Sequence, residues 1–185
     1  MTELTEKRVA FLTAPEGVER IELDDPWKAV EDSGATPVLI STRPGEVRTV
    51  NHLEPSGEHK VDRTVADSSV DDFDALVLPG GVANPDALRL DGDAVDFVRT
   101  FVASGKPVAA ICHAGWMLAE AGVVDGRTVT SWPSLETDLR NAGATWVDKE
   151  VVTDGNLITS RKPDDIPAFN NALLEALAHG AAGTR

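Results

Sequence analysis

Short apolar runs alternate along the chain with longer amphipathic stretches. Apolar runs of about four to eight residues, bounded by turn residues, are typical of buried strands. The sequence contains four such runs: "RVAFLT" at Arg8–Thr13, "TPVLIST" at 36–42, "FDALVLPGG" at 73–81 and "KPVAAIC" at 106–112. We expect each to form a strand and, because the apolar residues in each are consecutive and do not alternate with polar ones, to be covered on both faces of a sheet.

Amphipathic stretches between these runs predict helices. They lie at 24–34, with Pro26 near the start and Gly34 at the end, and at 91–105, 134–143 and 164–178. Proline in a first helical turn and glycine after a last one are common helix boundaries. Strands that alternate with helices favour an α/β fold, a flavodoxin-like three-layer sandwich with a mostly parallel sheet and helices on both faces.

The other segments are less regular. The stretch from 44 to 65 is polar and predicts short strands or a hairpin, with no function evident from its residues. "RTVTSW" at 127–132 and two runs around the glycine turn at 155 predict further strands. We expect one domain over 1–185, with frayed ends at about 1–6 and 179–185.

Composition excludes several classes of partner. Seventeen Lys and Arg against 31 Asp and Glu give a net charge of -14, which disfavours binding to nucleic acid or to an anionic membrane surface. No apolar run approaches the roughly 20 residues of a membrane span. The single cysteine cannot form an intrachain disulfide and no signal peptide is evident, so we expect a cytoplasmic protein.

The chain's one cysteine occupies a place suited to chemistry. Cys112 ends the strand "VAAIC", and "HAGWMLAE" then begins a helix. In an open parallel sheet, ligands bind outside the carboxyl ends of strands. A sharp strand-to-helix turn exposes a nucleophile, and the helix N-terminus stabilises a thiolate. The alternative is a buried cysteine that acts only as a small apolar residue.

Two other segments follow strands and are expected at the same edge. Gly80 and Gly81 in "LPGG" permit close backbone approach, so a peptide N–H there could join that of His113 in an oxyanion hole. In "PEGVERIEL" the acids Glu16, Glu19 and Glu22 are spaced three apart and could share one face of a helical turn. A carboxyl group held beside a thiol is pushed towards its protonated form and can move a proton. The alternatives are an ordinary turn and solvated surface acids.

Together these segments resemble the PfpI family of intracellular cysteine hydrolases, in the superfamily of the Parkinson-linked protein deglycase and the glyoxalase III enzymes. The resemblance rests on "VAAICHAGWMLAEAGVVDG", "FDALVLPGG", "GVERIEL" and "DGNLITSR", and extends from residue 8 to about 177. It implies a class I glutamine amidotransferase-like fold. That amidotransferase activity itself is not expected, because "SRKPDDIP" stands where its C-terminal His and Glu would lie.

The resemblance also implies roles for individual residues. Cys112 becomes the nucleophile, His113 the neighbouring base, and Glu19 the acid beside the thiol, with N–H groups of Gly81 and His113 as the oxyanion hole. Asp86 occupies the position of a carboxylate that reaches a neighbouring subunit's histidine in peptidase-type members. Asp is one methylene shorter than the Glu of that pattern, and "GGVANPDALR" has an extra residue. A homo-oligomer, dimer or larger, is implied as well.

Three functions stay open at this stage. The first is a cofactor-independent enzyme that acts on 2-oxoaldehydes or on their protein adducts. The second is a cysteine peptidase with Asp86 supplied by another subunit, required because neighbouring Cys and His side chains are not expected to form a relay alone. The third is a non-enzymatic stress protein that senses oxidation through its thiol.

The expected ligand is therefore a small aldehyde or a glycated or peptide substrate. Trp132, after the strand "RTVTS", is the expected substrate-binding residue. We expect no metal and no nucleotide cofactor, because four scattered histidines and one cysteine lack metal-ligand spacing and no P-loop motif is present.

Overall fold

The computed structural model describes residues 4–179. Its strands are β1 (Arg8–Thr13), β2 (Glu16–Glu19), β3 (Thr36–Ser41), β4 (Glu46–Asn51), β5 (Glu54–Lys60), β6 (Arg63–Thr64), β7 (Ala75–Leu78), β8 (Val108–Ile111), β9 (Thr128–Val129), β10 (Thr145–Trp146), β11 (Val151–Asp154) and β12 (Leu157–Ser160). Its α-helices are α1 (Arg20–Asp32), α2 (Ala83–Leu88), α3 (Gly92–Ala103), α4 (Gly115–Glu120), α5 (Glu136–Asn141) and α6 (Ile166–His179).

A seven-stranded sheet forms the centre of the fold. Its strand order is β11-β12-β8-β7-β1-β3-β6, and every neighbouring pair is parallel except β11 and β12. Alternate residues of β1 contribute to different cores, with Val9 and Phe11 on one face and Ala10 and Leu12 on the other. Helices α1 and α6 cover the first face, and α3, α4 and α5 cover the second. The predicted three-layer α/β fold is confirmed.

The order of the strands fixes where a ligand can bind. From β1 the chain passes to β3 on one side and later to β7 on the other, so the connections leave the carboxyl ends of β1 and β7 in opposite directions. Such a switch point opens a crevice outside the sheet. The segments that follow β1, β7 and β8 all reach this crevice, and they carry the predicted site residues.

The helix after β1 begins earlier than predicted. We expected it at 24–34, but α1 starts at Arg20, so Pro26 lies inside the helix and not in its first turn. Proline removes the N–H that would bond to the carbonyl four residues earlier, here that of Glu22. The expected helical turn over Glu16–Glu19 is instead the strand β2, which pairs with β4.

The segment from 44 to 65 contains the predicted hairpin. Strands β4 and β5 pair antiparallel and, with β2, form a separate three-stranded sheet. The expected strand at 127–132 shortens to β9, which pairs with β10 outside the central sheet. After β9, the chain is attached to β12 of the central sheet by the Thr130 N–H, which donates to the Thr159 hydroxyl.

The expected fraying at 1–6 does not extend to Leu4. This side chain is buried, and its N–H donates to the carbonyl of Ser33. His179, also expected to be frayed, is the last residue of α6, and residues 1–3 and 180–185 lie outside the described residues. No helix in the described range 4–179 has both the length and the apolar character that crossing a membrane requires.

Candidate active site

Cys112 lies at a sharp turn between β8 and a short 3₁₀ turn that leads into α4. Its φ is +62°, a left-handed conformation that costs a side-chain-bearing residue free energy. The surrounding structure enforces it: the cysteine's carbonyl accepts a hydrogen bond from the Trp132 N–H at 3.2 Å. The side chain is 7% exposed and lines a cavity of about 240 Å³ at the carboxyl end of the sheet. The structure therefore contains the predicted nucleophile elbow.

The carboxyl group beside the thiol belongs to Glu22, not to Glu19. Glu22 stands in the first turn of α1, is 0% exposed, and has its carboxyl group against the Cys112 thiol and the backbone of Gly80 and Gly81. Our prediction of Glu19 was wrong because β2 precedes α1. The change from extended to helical backbone at Arg20 turns Glu22 towards the thiol.

Glu19 bonds to the β4–β5 hairpin and not to the thiol. Its Oε2 accepts a hydrogen bond at 3.0 Å from the backbone N–H of His52, at the tip of the β4–β5 hairpin. Its own N–H donates to the Gly80 carbonyl at 3.3 Å. Glu19 is thus buried in the wall of the cavity, where it joins the hairpin to the glycine loop.

Burial determines the protonation of Glu22. Desolvation raises the pKa of its carboxyl group to about 8, and the charge of Glu19 adds to the rise. Hydrogen bonding to Cys112 and to the backbone of Gly80 and Gly81 acts in the opposite direction. These contacts are weak, because neither carboxyl oxygen of Glu22 has a hydrogen-bond partner in conventional geometry within residues 4–179. Glu22 therefore keeps its proton at neutral pH.

The thiol is held in the same environment. Burial, followed by the charge of an ionised Glu22, raises the pKa of Cys112, whereas the backbone groups of His113 and Gly81 lower it. A protonated Glu22 removes the opposing charge and offers an O–H donor to the thiolate. The pair thus disfavours two negative charges in one buried space, and the raised pKa of Cys112 keeps the thiol protonated until a base removes its proton.

His113 contacts the thiol within the same chain. Its Nδ1 lies 3.2 Å from the Cys112 sulfur, so the two neighbouring side chains are in contact, although we expected that they would not form a relay alone. Cys112 has a positive φ, and in this backbone conformation the side chains of Cys112 and His113 lie next to each other. Burial lowers the pKa of His113, which leaves the ring neutral and able to accept a proton.

Two tryptophans hold the His113 ring. Trp132 stacks on it with centroids 5.7 Å apart and planes 22° apart, and Trp116 meets it edge-on at 5.2 Å. Trp116 is fixed by donating its Nε1–H to Asp138 at 2.9 Å. Trp132 also lines the thiol cavity and is 37% exposed, so it occupies the pocket wall where a substrate would pass.

The glycine loop brings a backbone N–H to the thiol. Gly81 has φ +85°, and a Cβ there would collide with the Gly17 carbonyl and with the Glu19 N–H. Asn84 secures this loop from α2: its Nδ2 donates to the carbonyls of Pro79 and Gly80, and its Oδ1 accepts from Ala14. Sequence reasoning missed Asn84, although its place in "GGVANP" beside the glycines gave a signal.

Asp86 lies away from this centre in the single chain. It is exposed on α2, and its carboxylate makes no hydrogen bond or ion pair within residues 4–179. A role across a subunit boundary stays a prediction. Across residues 4–179, no group of three or more His, Cys, Asp or Glu side chains is arranged to hold a metal ion.

Known proteins share much of this sequence and its overall fold. Residues 7–176 match the DJ-1/PfpI family. The chain is 40% identical over 171 residues to "Putative cysteine protease YraA" of Bacillus subtilis, covering 92% of this chain and 98% of that protein. It is 41% identical over 174 residues to "Deglycase PH1704" of Pyrococcus horikoshii, covering 92% and 99%. The crystal structure of Drosophila melanogaster DJ-1beta superposes with a TM-score of 0.83 at 33% identity, covering 93% and 90%.

Proposed function

The chain belongs to the DJ-1/PfpI family, and from that premise we propose that it is a cofactor-independent cysteine enzyme acting on 2-oxoaldehydes or their protein adducts. The observation that carries the proposal is the buried, protonated Glu22 carboxyl group against the Cys112 thiol. A relative of about the same length is named a deglycase. The expected Cys–Glu chemistry is retained, with Glu22 in the place that we first gave to Glu19.

The reaction begins with addition of sulfur to the aldehyde carbon. His113 Nδ1, 3.2 Å away, takes the thiol proton as the C–S bond forms. The aldehyde oxygen becomes an oxyanion, for which the N–H groups of Gly81 and His113 are the nearest backbone donors. The protonated His113 gives its proton to the oxyanion, and the product is a hemithioacetal on Cys112.

Proton transfer between the two carbons follows. His113, neutral again, removes the hydrogen from the sulfur-bearing carbon while the Glu22 carboxyl protonates the neighbouring carbonyl oxygen, which gives an enediol. Reprotonation at the second carbon yields a thioester. Water attacks this thioester, the C–S bond breaks, and a 2-hydroxy acid leaves with the thiol restored. For methylglyoxal the balance is one aldehyde plus one water to one lactate.

An adduct on protein can enter the same sequence. Sulfur displaces the amine or thiol of the modified side chain: the bond from Cys112 to the aldehyde-derived carbon forms as that carbon's bond to the side chain breaks, and the side chain takes the thiol proton. The hydroxy acid is then released as before. No oxidant, reductant or further co-reactant besides water is required in either case.

The test is lactate formation from methylglyoxal without added glutathione. Wild type, Cys112→Ala, Glu22→Gln and Glu19→Gln are compared. We expect turnover to disappear in Cys112→Ala, to fall by about 10²- to 10⁴-fold in Glu22→Gln, and to persist in Glu19→Gln, because the glutamine amide retains an acceptor oxygen for the His52 N–H. An inert wild type whose thiol still reacts with iodoacetamide would show that this site serves another reaction.

A specific observation also favours peptide hydrolysis. Cys112 and His113 are in contact, and no hydrogen bond within residues 4–179 reaches the second ring nitrogen, Nε2. A carboxylate from another subunit, with Asp86 as the candidate, could bond there. Hydrolysis of a fluorogenic peptide that rises with oligomer formation and falls in Asp86→Asn would support this second function.

A further inference from the structure

A second, larger cavity adjoins the cavity that contains the thiol. A second cavity of about 670 Å³ shares four wall residues with the thiol cavity: Glu19, His52, Trp132 and Pro163. The smaller space of about 240 Å³ holds the reacting centre. A three-carbon aldehyde leaves the larger one unused, so a longer substrate is needed to occupy both.

The hairpin tip lies between the two cavities. Leu53 lines only the thiol cavity, Asn51 and Ser56 line only the larger one, and His52 lines both. His52 has φ +58°, an uncommon conformation for a residue with a side chain, and its N–H is held by the Glu19 carboxylate at 3.0 Å. The tip is therefore fixed in position and forms part of the boundary.

The larger cavity has an excess of negative charge. Arg20 is paired with Asp24 at 2.9 Å, and Lys162 with Asp164 at 3.4 Å. Asp25 lines the same cavity, and its carboxylate makes no ion pair within the described part of the chain. A cationic group placed here meets an unneutralised carboxylate, whereas an anionic group is repelled.

We propose that the larger cavity is a second subsite, that it takes a positively charged extension of the substrate, and that His52 is the specificity-determining residue between the two spaces. Glu19 acts as a positioning residue, because it holds the His52 backbone. This proposal deepens the proposed function and rests on it only in taking Cys112 as the nucleophile. The substrate class it names is a carbonyl compound carried on a lysine- or arginine-containing chain.

The experiment measures alkylation of Cys112, which does not require turnover. Three reagents share one reacting group: chloroacetamide, chloroacetyl-Ala-Lys-amide and chloroacetyl-Ala-Glu-amide. In each, the sulfur forms a bond to the methylene carbon and chloride leaves. We expect the lysine reagent to react about two- to fivefold faster than the glutamate reagent, the range that one exposed charge pair contributes.

Two variants test the charge preference. Asp25→Asn brings the lysine-to-glutamate ratio towards one, and Glu31→Gln leaves it unchanged, because Glu31 is an exposed acid of the same helix that lines neither cavity. An equal ratio in wild type and Asp25→Asn overturns the charge assignment.

His52→Gly and His52→Asn test the boundary. Both residues tolerate the left-handed backbone, so the fold is retained while the side chain is removed or shortened. We expect His52→Gly to raise the rates of both long reagents relative to chloroacetamide, with His52→Asn intermediate. Unchanged relative rates overturn the role of His52. A wild type that fails to convert methylglyoxal but keeps these ratios refutes the proposed function alone.

Discussion

Glu22 and Cys112 form a buried pair in which the carboxyl group lies against the thiol and both groups have raised pKa values. The pair is assembled from distant parts of the chain, the first turn of α1 and the elbow after β8. Two negative charges in this space are unfavourable, so the carboxyl holds its proton and can transfer it to a substrate oxygen. The chemistry of the site thus follows from desolvation as much as from residue type.

Glu22→Gln removes the transferable proton but keeps size and burial. We expect turnover of methylglyoxal to fall by about 10²- to 10⁴-fold, the contribution of a general acid, with Glu19→Gln much less affected. Steady-state kinetics of both variants provide the measurement. The assignment fails if Glu19→Gln is the inactive variant and Glu22→Gln is not.

The stability of the protein should fall as pH rises from about 4.5 to about 8. The pKa of Glu22 is raised from 4.5 to about 8 by folding, so in this window the native state binds more protons than the unfolded state. The free energy of unfolding contributed by this group is highest below pH 4.5 and is lost by pH 8. The expected loss is several kcal/mol, at most about 5 kcal/mol by linkage.

Urea denaturation between pH 5 and 9 measures this dependence. Glu22→Gln cannot ionise, so its unfolding free energy should change less over the same range and exceed that of wild type at pH 8. Parallel profiles for the two proteins would contradict the protonation assigned to Glu22.

The sequence predicts the fold and the elbow well because both depend on local pattern. Runs such as "VAFL" in β1 and "VAAIC" at β8 are apolar at consecutive positions, a pattern typical of strands in a sheet covered on both faces. The acid was misassigned because the resemblance gave its role to Glu19, whereas α1 begins at Arg20 and its first turn carries Glu22 to the thiol. A shift of helix boundary changes which of three equally spaced acids faces the thiol.

The hairpin contact could not be predicted from local pattern. His52 meets Glu19 across 33 residues, through a backbone N–H that any residue type carries. The sequence around His52 does not indicate that this residue has a positive φ. Contacts of this kind depend on how two sheets pack, and the amino-acid pattern of either segment alone does not specify them.

Trp132→Ala tests the support of His113. The stacked pair contributes about 0.5–1.5 kcal/mol beyond burial, so its loss should lower kcat by roughly two- to tenfold. Because Trp132 lines both cavities, KM should also change, more for a long substrate than for methylglyoxal. Unchanged turnover of small and large substrates alike would remove Trp132 from the site.

Gly80→Ala tests how closely the glycine loop packs on the catalytic pair. A Cβ at Gly80 would collide with the Glu22 carboxyl group and lie 2.7 Å from the Cys112 Cβ and 2.9 Å from the Ile111 carbonyl. Overpacking of this kind costs about 1–3 kcal/mol of unfolding free energy. Iodoacetamide should also react with Cys112 at an altered rate, since the elbow must shift.

Gly92→Ala is the matched control for that substitution. No atom lies within 4 Å of a Cβ at Gly92, which begins α3, so this change should be neutral or add up to about 1 kcal/mol through helix propensity. Urea denaturation and thiol alkylation are measured for both variants. A Gly80→Ala protein as stable and as reactive as Gly92→Ala would mean that the loop has room to move, and the close packing proposed to hold Glu22 against the thiol would not be needed for the site.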